Sequence, residues 1–428
     1  MNFKFIDLFA GIGGFHQALS SLGGECVFAS EIDDKCQKTY SNQFNMHVYG
    51  DINECLEIIP SFDVLCGGFP CQTFSKAGNR EGFDDDTKGK LFFKIIEILK
   101  RHKECKYIIL ENVRNLADNK FFWNTIQCEL ENLNFYVTKE PIILSPDDFG
   151  IPQNRERVYI LGIKKGIENK SKLKNKEIRI TDLSLEGLYK KCRPDEALRI
   201  LENGIANSQL VVNSDERKII ECWEEFKKNI IPDRQIGSPI WIDFFGMDVK
   251  PGDENKFKQK YSYYKQKNRK GRIEKTPDWK KTFILRNRHL YIDNKSKIDQ
   301  WYKKYSDILC NKTYRKFEWN CGSKYVDFRK CIIQIRQSGI RIKKTDKFPS
   351  LVAIVNTPII WDEELKSFRR ISVREAAKLQ SFDRNFKFLG DKKTIYKQLG
   401  NSVNVKIIKY VSNGLFELGG CNSGRGRL

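Results

Sequence analysis

Histidine is scarce in this 428-residue chain, with four copies, and none of its thirteen cysteines belongs to a Cys-x-x-Cys pair. These two shortages exclude a zinc ribbon and leave Cys310, Cys321 and Cys331 without nearby histidine co-ligands, so no metal is expected. The chain is too long, and its cysteines too irregularly spaced, for a disulfide framework, which points to reduced thiols and a cytoplasmic setting. No apolar run approaches the length that crosses a bilayer, so no membrane partner is expected. The opening Phe3-Lys4-Phe5-Ile6-Asp7-Leu8-Phe9 is broken by charge and runs straight into glycines, which marks a first strand rather than a targeting peptide.

Acidic charge is short where basic charge is plentiful. Residues 1–150 carry 15 Lys/Arg against 22 Asp/Glu, whereas residues 251–350 carry 28 against 10. The length calls for two domains, and the positive field belongs to the second. A basic surface of this kind draws a polyanion through phosphate contacts and counterion release, so nucleic acid is the expected partner. The bland alternative is compositional bias toward Lys, Asn and Ile.

The first part alternates strand and helix. Phe5–Phe9 has strand character, the glycines after it make a tight turn, and Phe15–Leu22 has helical spacing. Further strands are read at Cys26–Ser30, Met46–Tyr49, Tyr107–Leu110, Tyr136–Leu144 and Val158–Ile163, with helices at Leu91–Leu99 and Trp123–Leu133. Such alternation specifies an α/β domain with a mostly parallel sheet, whose ligand crevice lies beyond the strand ends. A glycine turn followed by a carboxylate, Glu31, at the end of the second strand suits a nucleoside cofactor. Taken alone, it fits a nicotinamide or flavin equally well.

Chemistry-bearing residues recur at those ends. Val64–Phe69 delivers Pro70-Cys71-Gln72, Tyr107–Leu110 runs into Glu111-Asn112-Val113, and Gln153-Asn154-Arg155-Glu156-Arg157 precedes the last strand. With Phe9-Ala10-Gly11-Ile12-Gly13-Gly14, and with Gln398-Leu399-Gly400-Asn401-Ser402-Val403 far downstream, this set resembles the DNA cytosine-5 methyltransferases of bacterial type II restriction-modification systems in order, spacing and wording. The resemblance covers roughly residues 3–165 and 368–410. One departure is Asp383, which stands where the family usually has proline.

The resemblance implies a Rossmann-like, S-adenosylmethionine-dependent methyltransferase fold with a smaller, inserted target-recognition domain. It implies Cys71 as nucleophile toward cytosine carbon 6, Glu111 as proton donor at ring nitrogen 3, Arg157 as donor to oxygen 2, and Arg155 beside them in the catalytic set, bracing the loop or a neighbouring phosphate. S-adenosylmethionine is implied as cofactor. The residues implied to hold it are Phe9, Gly11, Ile12, Gly13, Gly14, Glu31, Ile32, Asp51, Ile52, Gly68, Pro70, Leu91, Asn401 and Ser402. Double-stranded DNA is the implied partner, acted on by a monomer, with a cognate restriction endonuclease in the same bacterial system. Two rival readings stay open: a tRNA cytosine-5 methyltransferase of the same superfamily, and a catalytically silent DNA-binding regulator on this fold.

The loss of alternation after Gly162 and the polar run Asn169–Lys176 put a boundary near residue 180, and the resemblance implies that the final motif returns to the first domain: residues 1–180 and 391–428 form the catalytic domain, and 181–390 the target-recognition domain. Within the latter, residues 251–275 interleave bases and aromatics but carry few aliphatics to anchor them, so a solvated insertion competes with a DNA-binding one. Cys331–Ile342 alternates like two strands around a turn and offers Arg336 and Arg341 to guanine edges or phosphates. Gln72 and Ser75 are DNA-contact candidates on the loop after Cys71. Ser372 and Glu375 stand at capping-box distance.

Overall fold

The computed structural model describes residues 2–70, 90–173, 177–183, 196–202, 210–233, 237–267, 271–351 and 356–420, and Cys71, Gln72 and Ser75 lie outside them. The chain forms two compact units. The first comprises Met1–Leu201, Asp346–Val355 and Ser372–Leu428, and the second Glu202–Thr345 and Asn356–Ile371.

The first unit opens with β1 (Phe3–Leu8), α1 (Gly14–Ser20), β2 (Gly24–Ser30), α2 (Asp34–Phe44), β3 (Val64–Gly67), α3 (Lys90–Arg101), β4 (Tyr107–Val113), α4 (Lys120–Asn132), β5 (Phe135–Val137), β6 (Ile142–Leu144), β7 (Gln153–Asn154) and β8 (Arg157–Lys164). Its main sheet runs β2-β1-β3-β4-β8-β5, with β6 also paired to β8. The first four strands are parallel. Buried on both faces, they read as near-continuous apolar runs such as Tyr107–Leu110. In α3, Phe92, Ile95, Ile96 and Leu99 fall on one face and are buried. Asp33 and Asn119 start α2 and α4 by accepting two backbone N–H bonds each.

Two features of this sheet position a site. β2 lies to one side of β1 and β3 to the other, so the order reverses there and opens a crevice at the carboxyl ends. β8 runs antiparallel to β4, pairing Val113 with Arg157 and Glu111 with Tyr159. That reversal brings the beginning of β8 to the edge where β1 to β4 end.

Two expected strands differ. Met46–Tyr49 contributes a single bridge from Tyr49 to Ser30, because the turn capped by Asp51 ends the pairing at once. Tyr136–Leu144 divides into β5 and β6, since Thr138 and Lys139 bond to Leu161 and Ile178 and Pro141 has no N–H to continue a ladder.

The second unit contains α5 (Ser214–Glu225), β9 (Ile240–Trp241), α6 (Glu254–Lys260), β10 (Lys265–Lys267), β11 (Ile273–Lys275), α7 (Asp278–Asp293), α8 (Lys295–Lys304), α9 (Ser306–Leu309), β12 (Lys316–Asn320), β13 (Ile332–Arg336) and β14 (Gly339–Lys343). After β15 (Phe348–Pro349), which pairs with β7 in the first unit, come β16 (Ile359–Asp362) and β17 (Ser367–Arg370). Its sheet runs β17-β16-β13-β14-β12-β9. Trp223 stacks on Phe317 in its core with ring centroids 4.8 Å apart. The basic stretch that lacked aliphatics forms α6 and the β10–β11 hairpin, and fully buried Phe257 anchors α6 against Val249 and Ile284.

α10 (Val373–Leu379), α11 (Lys392–Asn401) and α12 (Val405–Leu418) return to the first unit. The expected return at residue 391 therefore moves back to 372. Composition does not mark that point, but α10 begins there with the Ser372–Glu375 capping box and packs Ala376, Ala377 and Leu379 inside the first unit. Among the described residues, no helix is long and apolar enough to cross a membrane, and no group of side chains could hold a metal.

Candidate active site

The turn after β1 is tight because Phe9, Gly11 and Gly13 take positive φ values of 55°, 56° and 88°. A Cβ on Gly13 would lie 2.2 Å from the Phe44 ring, and one on Gly14 would lie 2.7 Å from Val403 Cγ2 and 3.1 Å from Ser402 Oγ. Gly11 differs: a Cβ there would meet nothing within 4 Å, so its backbone faces open space. Glu31 closes the turn. Gly11 N–H donates to its Oε2 at 2.8 Å and Asp33 N–H to its Oε1 at 2.9 Å. Burial raises the Glu31 carboxyl above its ordinary range, and those two bonds pull the other way.

Beside it Ile32 is 73% exposed, a large apolar side chain left in the open. Ile32, Lys397, Gln398 and Asn401 help to line a cavity of about 380 Å³, so residues from opposite ends of the sequence meet there. Asp51 accepts from Asn53 N–H at 2.9 Å, and Ile52 beside it is buried in the core. Leu91 likewise packs against the core from the first turn of α3.

At the ends of β3, β4 and β8 a second group forms. Glu111 is buried, and its Oε1 lies 2.9 Å from Arg157 Nε. Burial raises the carboxyl above its ordinary range, opposed by the attraction of Arg157 and then of Arg155. Gly68 abuts this carboxylate: a Cβ there would be 3.5 Å from Glu111 Oε2 and 3.8 Å from Val403 Cγ1. Asn112 donates from Nδ2 to the Phe69 carbonyl at 3.1 Å, which fastens the segment leading to Pro70 against the end of β4. Cys71 follows Pro70 in sequence and lies outside the described residues.

Arg155 is bonded to backbone far along the chain. It is 3% exposed, and its guanidinium donates to Leu351 O (2.8 Å), Ser350 Oγ (3.1 Å), Gly400 O (2.9 Å) and Ser402 O (2.7 Å). Those bonds join three stretches of chain, so Arg155 holds the Asn401–Ser402 turn beside the glycine turn. That is the geometry of a brace, in keeping with the loop-bracing part expected of it. Arg157 is half-buried, and with Arg155, Val113, Asn154 and Ser350 it lines a cavity of about 390 Å³.

Sequence reading missed three members. Asn112 was visible only as a neighbour of Glu111. Tyr159, buried opposite Glu111 with its hydroxyl pushed up by burial and by that carboxylate, reads as an ordinary strand residue. Val403, against Gly14 and Gly68, carries no polar signal. In the second unit Arg336 and Arg341 both pair with Glu318, a partner that spacing does not reveal.

The sheet order, the glycine turn with its carboxylate, and the carboxyl–guanidinium pair at the same edge define a Rossmann-like methyltransferase fold. The profile of the C-5 cytosine-specific DNA methylase family matches residues 3–417. The chain belongs to that family and is a DNA cytosine methyltransferase. It is 32% identical over 443 residues to the Type II methyltransferase M.BanI of Aneurinibacillus aneurinilyticus, covering 97% of this chain and 96% of that protein. Against the Type II methyltransferase M.HpaII of Haemophilus parainfluenzae it is 49% identical over 172 residues, which span 38% of this chain and about half (46%) of that relative. Among solved structures, the Dnmt2 methyltransferase of S. pombe superposes with a TM-score of 0.53 at 15% identity, over 97% of this chain and 99% of that one.

Proposed function

We propose that the protein transfers a methyl group from S-adenosylmethionine to carbon 5 of a cytosine flipped out of a short, specific duplex DNA sequence, through a covalent Cys71 adduct. The observation that carries this reading is the buried Glu111–Arg157 pair beside the Gly68-Phe69-Pro70 segment. Nitrogen 3 and oxygen 2 are neighbours on the cytosine ring, and a carboxyl and a guanidinium held side by side match them.

Cytosine is unreactive toward a methyl sulfonium until electrons enter its ring. The Cys71 thiolate adds at carbon 6, and the Glu111 carboxyl hydrogen-bonds or protonates nitrogen 3 as negative charge develops there. Arg157 donates to oxygen 2 and steadies the same charge. Carbon 5 then takes the methyl group. Loss of the carbon 5 proton and expulsion of the Cys71 sulfur restore the aromatic ring. Extruding the base costs a few kcal/mol of stacking and pairing.

S-adenosylmethionine supplies an electrophilic methyl group on a sulfonium. The residues fit it: Gly11 offers backbone to open space, Glu31 is anchored to accept from ribose hydroxyls, and Ile32 presents an apolar surface for a purine to cover. Ser402 and Asn401, held by Arg155, stand opposite the glycine turn. Glu31→Gln, which gives up a charged acceptor, should weaken S-adenosylmethionine binding roughly tenfold or more in a calorimetric titration. Unchanged affinity would remove Glu31 from the site.

The second unit supplies the DNA-binding, target-recognition surface, and its basic stretch makes phosphate contacts. DNA affinity should therefore fall steeply with salt, with a log–log slope near −0.9 per phosphate neutralised. A flat dependence would assign the basic excess to composition instead. We place the protein in a bacterial cytoplasm as a monomer, protecting host DNA from a cognate restriction endonuclease. Expression in a methylation-free bacterial host, followed by mapping of 5-methylcytosine, tests the whole reading: marks confined to one short motif are expected, and unmarked DNA beside abundant folded protein would overturn it.

A further inference from the structure

In the second unit β12, β14 and β13 lie side by side with two contrasting faces. Phe317, Trp319, Ile340, Ile342 and Ile333 turn into the core. The opposite face is polar, and the register places Glu318 beside Arg341 and Arg341 beside Gln334. In the neighbouring row Arg336 pairs with Gly339. With no side chain on Gly339 to block it, Arg336 reaches across to β12.

One carboxylate gathers the cations. Arg341 Nε donates to Glu318 Oε2 at 2.7 Å, and Arg341 Nη2 is 2.7 Å from the same oxygen. Arg336 Nη2 lies 2.8 Å from Oε2, and Lys316 Nζ 3.0 Å from Oε1. Three cations on one carboxylate hold the Glu318 pKa below its ordinary range despite burial. Among the described residues, Arg336 Nε and Nη2 and the Oε1 of Gln334, a residue only 6% exposed, have no hydrogen-bond partner, so the Arg336–Glu318 contact is one of charge.

A buried donor and a buried acceptor left unpaired on one face are unfavourable unless something supplies their partners. Phosphate is the wrong supplier, since it offers acceptors alone and would be repelled by Glu318. The major-groove edges of base pairs display donors and acceptors together, with two adjacent acceptors on guanine that match a guanidinium fork. Glu318 removes a unit of positive charge yet fixes the Arg341 fork by hydrogen bonding and draws the Arg336 fork beside it by charge, which suits discrimination between bases better than attraction to a backbone.

We propose that Glu318 is a specificity-determining positioning residue: it orients Arg336 and Arg341 as a paired reader of purine edges in the recognition sequence, with Gln334 completing the set. This rests on the reading of the second unit as the DNA-binding one. Freed of Glu318, the arginines keep their charge and lose their aim, so affinity survives while selectivity falls.

The test maps 5-methylcytosine genome-wide in a methylation-free host for the wild type, Glu318→Gln and Arg341→Lys. The wild type should mark one short motif. Both variants should keep methylating that motif and add sites that differ from it at one base pair, with discrimination reduced about 5- to 150-fold, the value of one bidentate base contact. Melting temperature separates the alternative: a uniform loss of marks at every site with lowered melting temperature assigns Glu318 a purely structural role and overturns the proposal. Should Glu318→Gln fail to fold, Arg341→Lys, which retains the charge beside Glu318, decides. An unchanged motif of unchanged fidelity in that variant also overturns it. Unmarked wild-type DNA would defeat the DNA reading itself, a result distinct from wild-type marking with unaltered variant specificity.

Discussion

Cys71→Ser is expected to lower methyl transfer on the order of 10⁴-fold or more while leaving DNA binding close to that of the unaltered protein. A thiol with a pKa of about 8.5 furnishes some thiolate near neutrality, and a hydroxyl furnishes essentially no alkoxide. The substitution removes no bulk and no charge from a DNA contact. The surrounding geometry gives the prediction its weight. The Phe69 carbonyl, two residues before the cysteine in sequence, is fixed by Asn112, and Gly68 abuts the Glu111 carboxylate. The segment is thereby tied to the proposed acid. Single-turnover transfer of a labelled methyl group, read beside a DNA mobility shift, checks it. Residual transfer within tenfold of the unaltered enzyme would take the nucleophile's role from Cys71.

Glu111→Gln should slow the chemical step by 10²- to 10⁴-fold, the usual range for a general acid, with little change in S-adenosylmethionine affinity. It should also alter the pH profile. Burial raises the Glu111 carboxyl, against the pull of Arg157. The protonated form is lost as pH climbs through that raised pKa, so the rate acquires a limb that falls toward alkaline pH. Glutamine cannot titrate, and the falling limb should vanish with it. A rising limb from thiolate formation should remain in both enzymes. Should the variant keep the falling limb at its reduced rate, that titration belongs to another group, and an undiminished single-turnover rate would end the assignment altogether.

The parts of the fold that could be read were those encoded locally. β4 and α3 announce themselves by apolar continuity and by helical spacing, and the Ser372–Glu375 capping box by two residues three apart. Glu111 and Arg157 were legible as motif members at strand ends. Their contact was not, because it depends on β8 running against β4, a matter of pairing between distant segments. The same limit explains Arg155, whose partners lie far along the chain, and Arg336 and Arg341, whose orientation is set by Glu318 on another strand. Single strands such as Met46–Tyr49 were overread because alternation over four residues does not distinguish a strand from an extended approach to a turn. Asp383, in place of the family's usual proline, leaves α10 and α11 intact on either side.

The four bonds of Arg155 have a consequence for how the protein is made. They link residue 155 to positions 195 to 247 residues further on. A nascent chain thus emerges with its glycine turn and strand ends already synthesised, yet the buried guanidinium lacks two of its three carbonyl acceptors until Gly400 and Ser402 have been made. Pairing over such separations is slow, because a long loop must close before any contact rewards it. The second unit, with its own core, lies within that loop in sequence, and a compact insert lowers the entropy cost of closing it. A chain made only as far as Leu351 therefore lacks the two carbonyls that complete the Arg155 brace on the cofactor side.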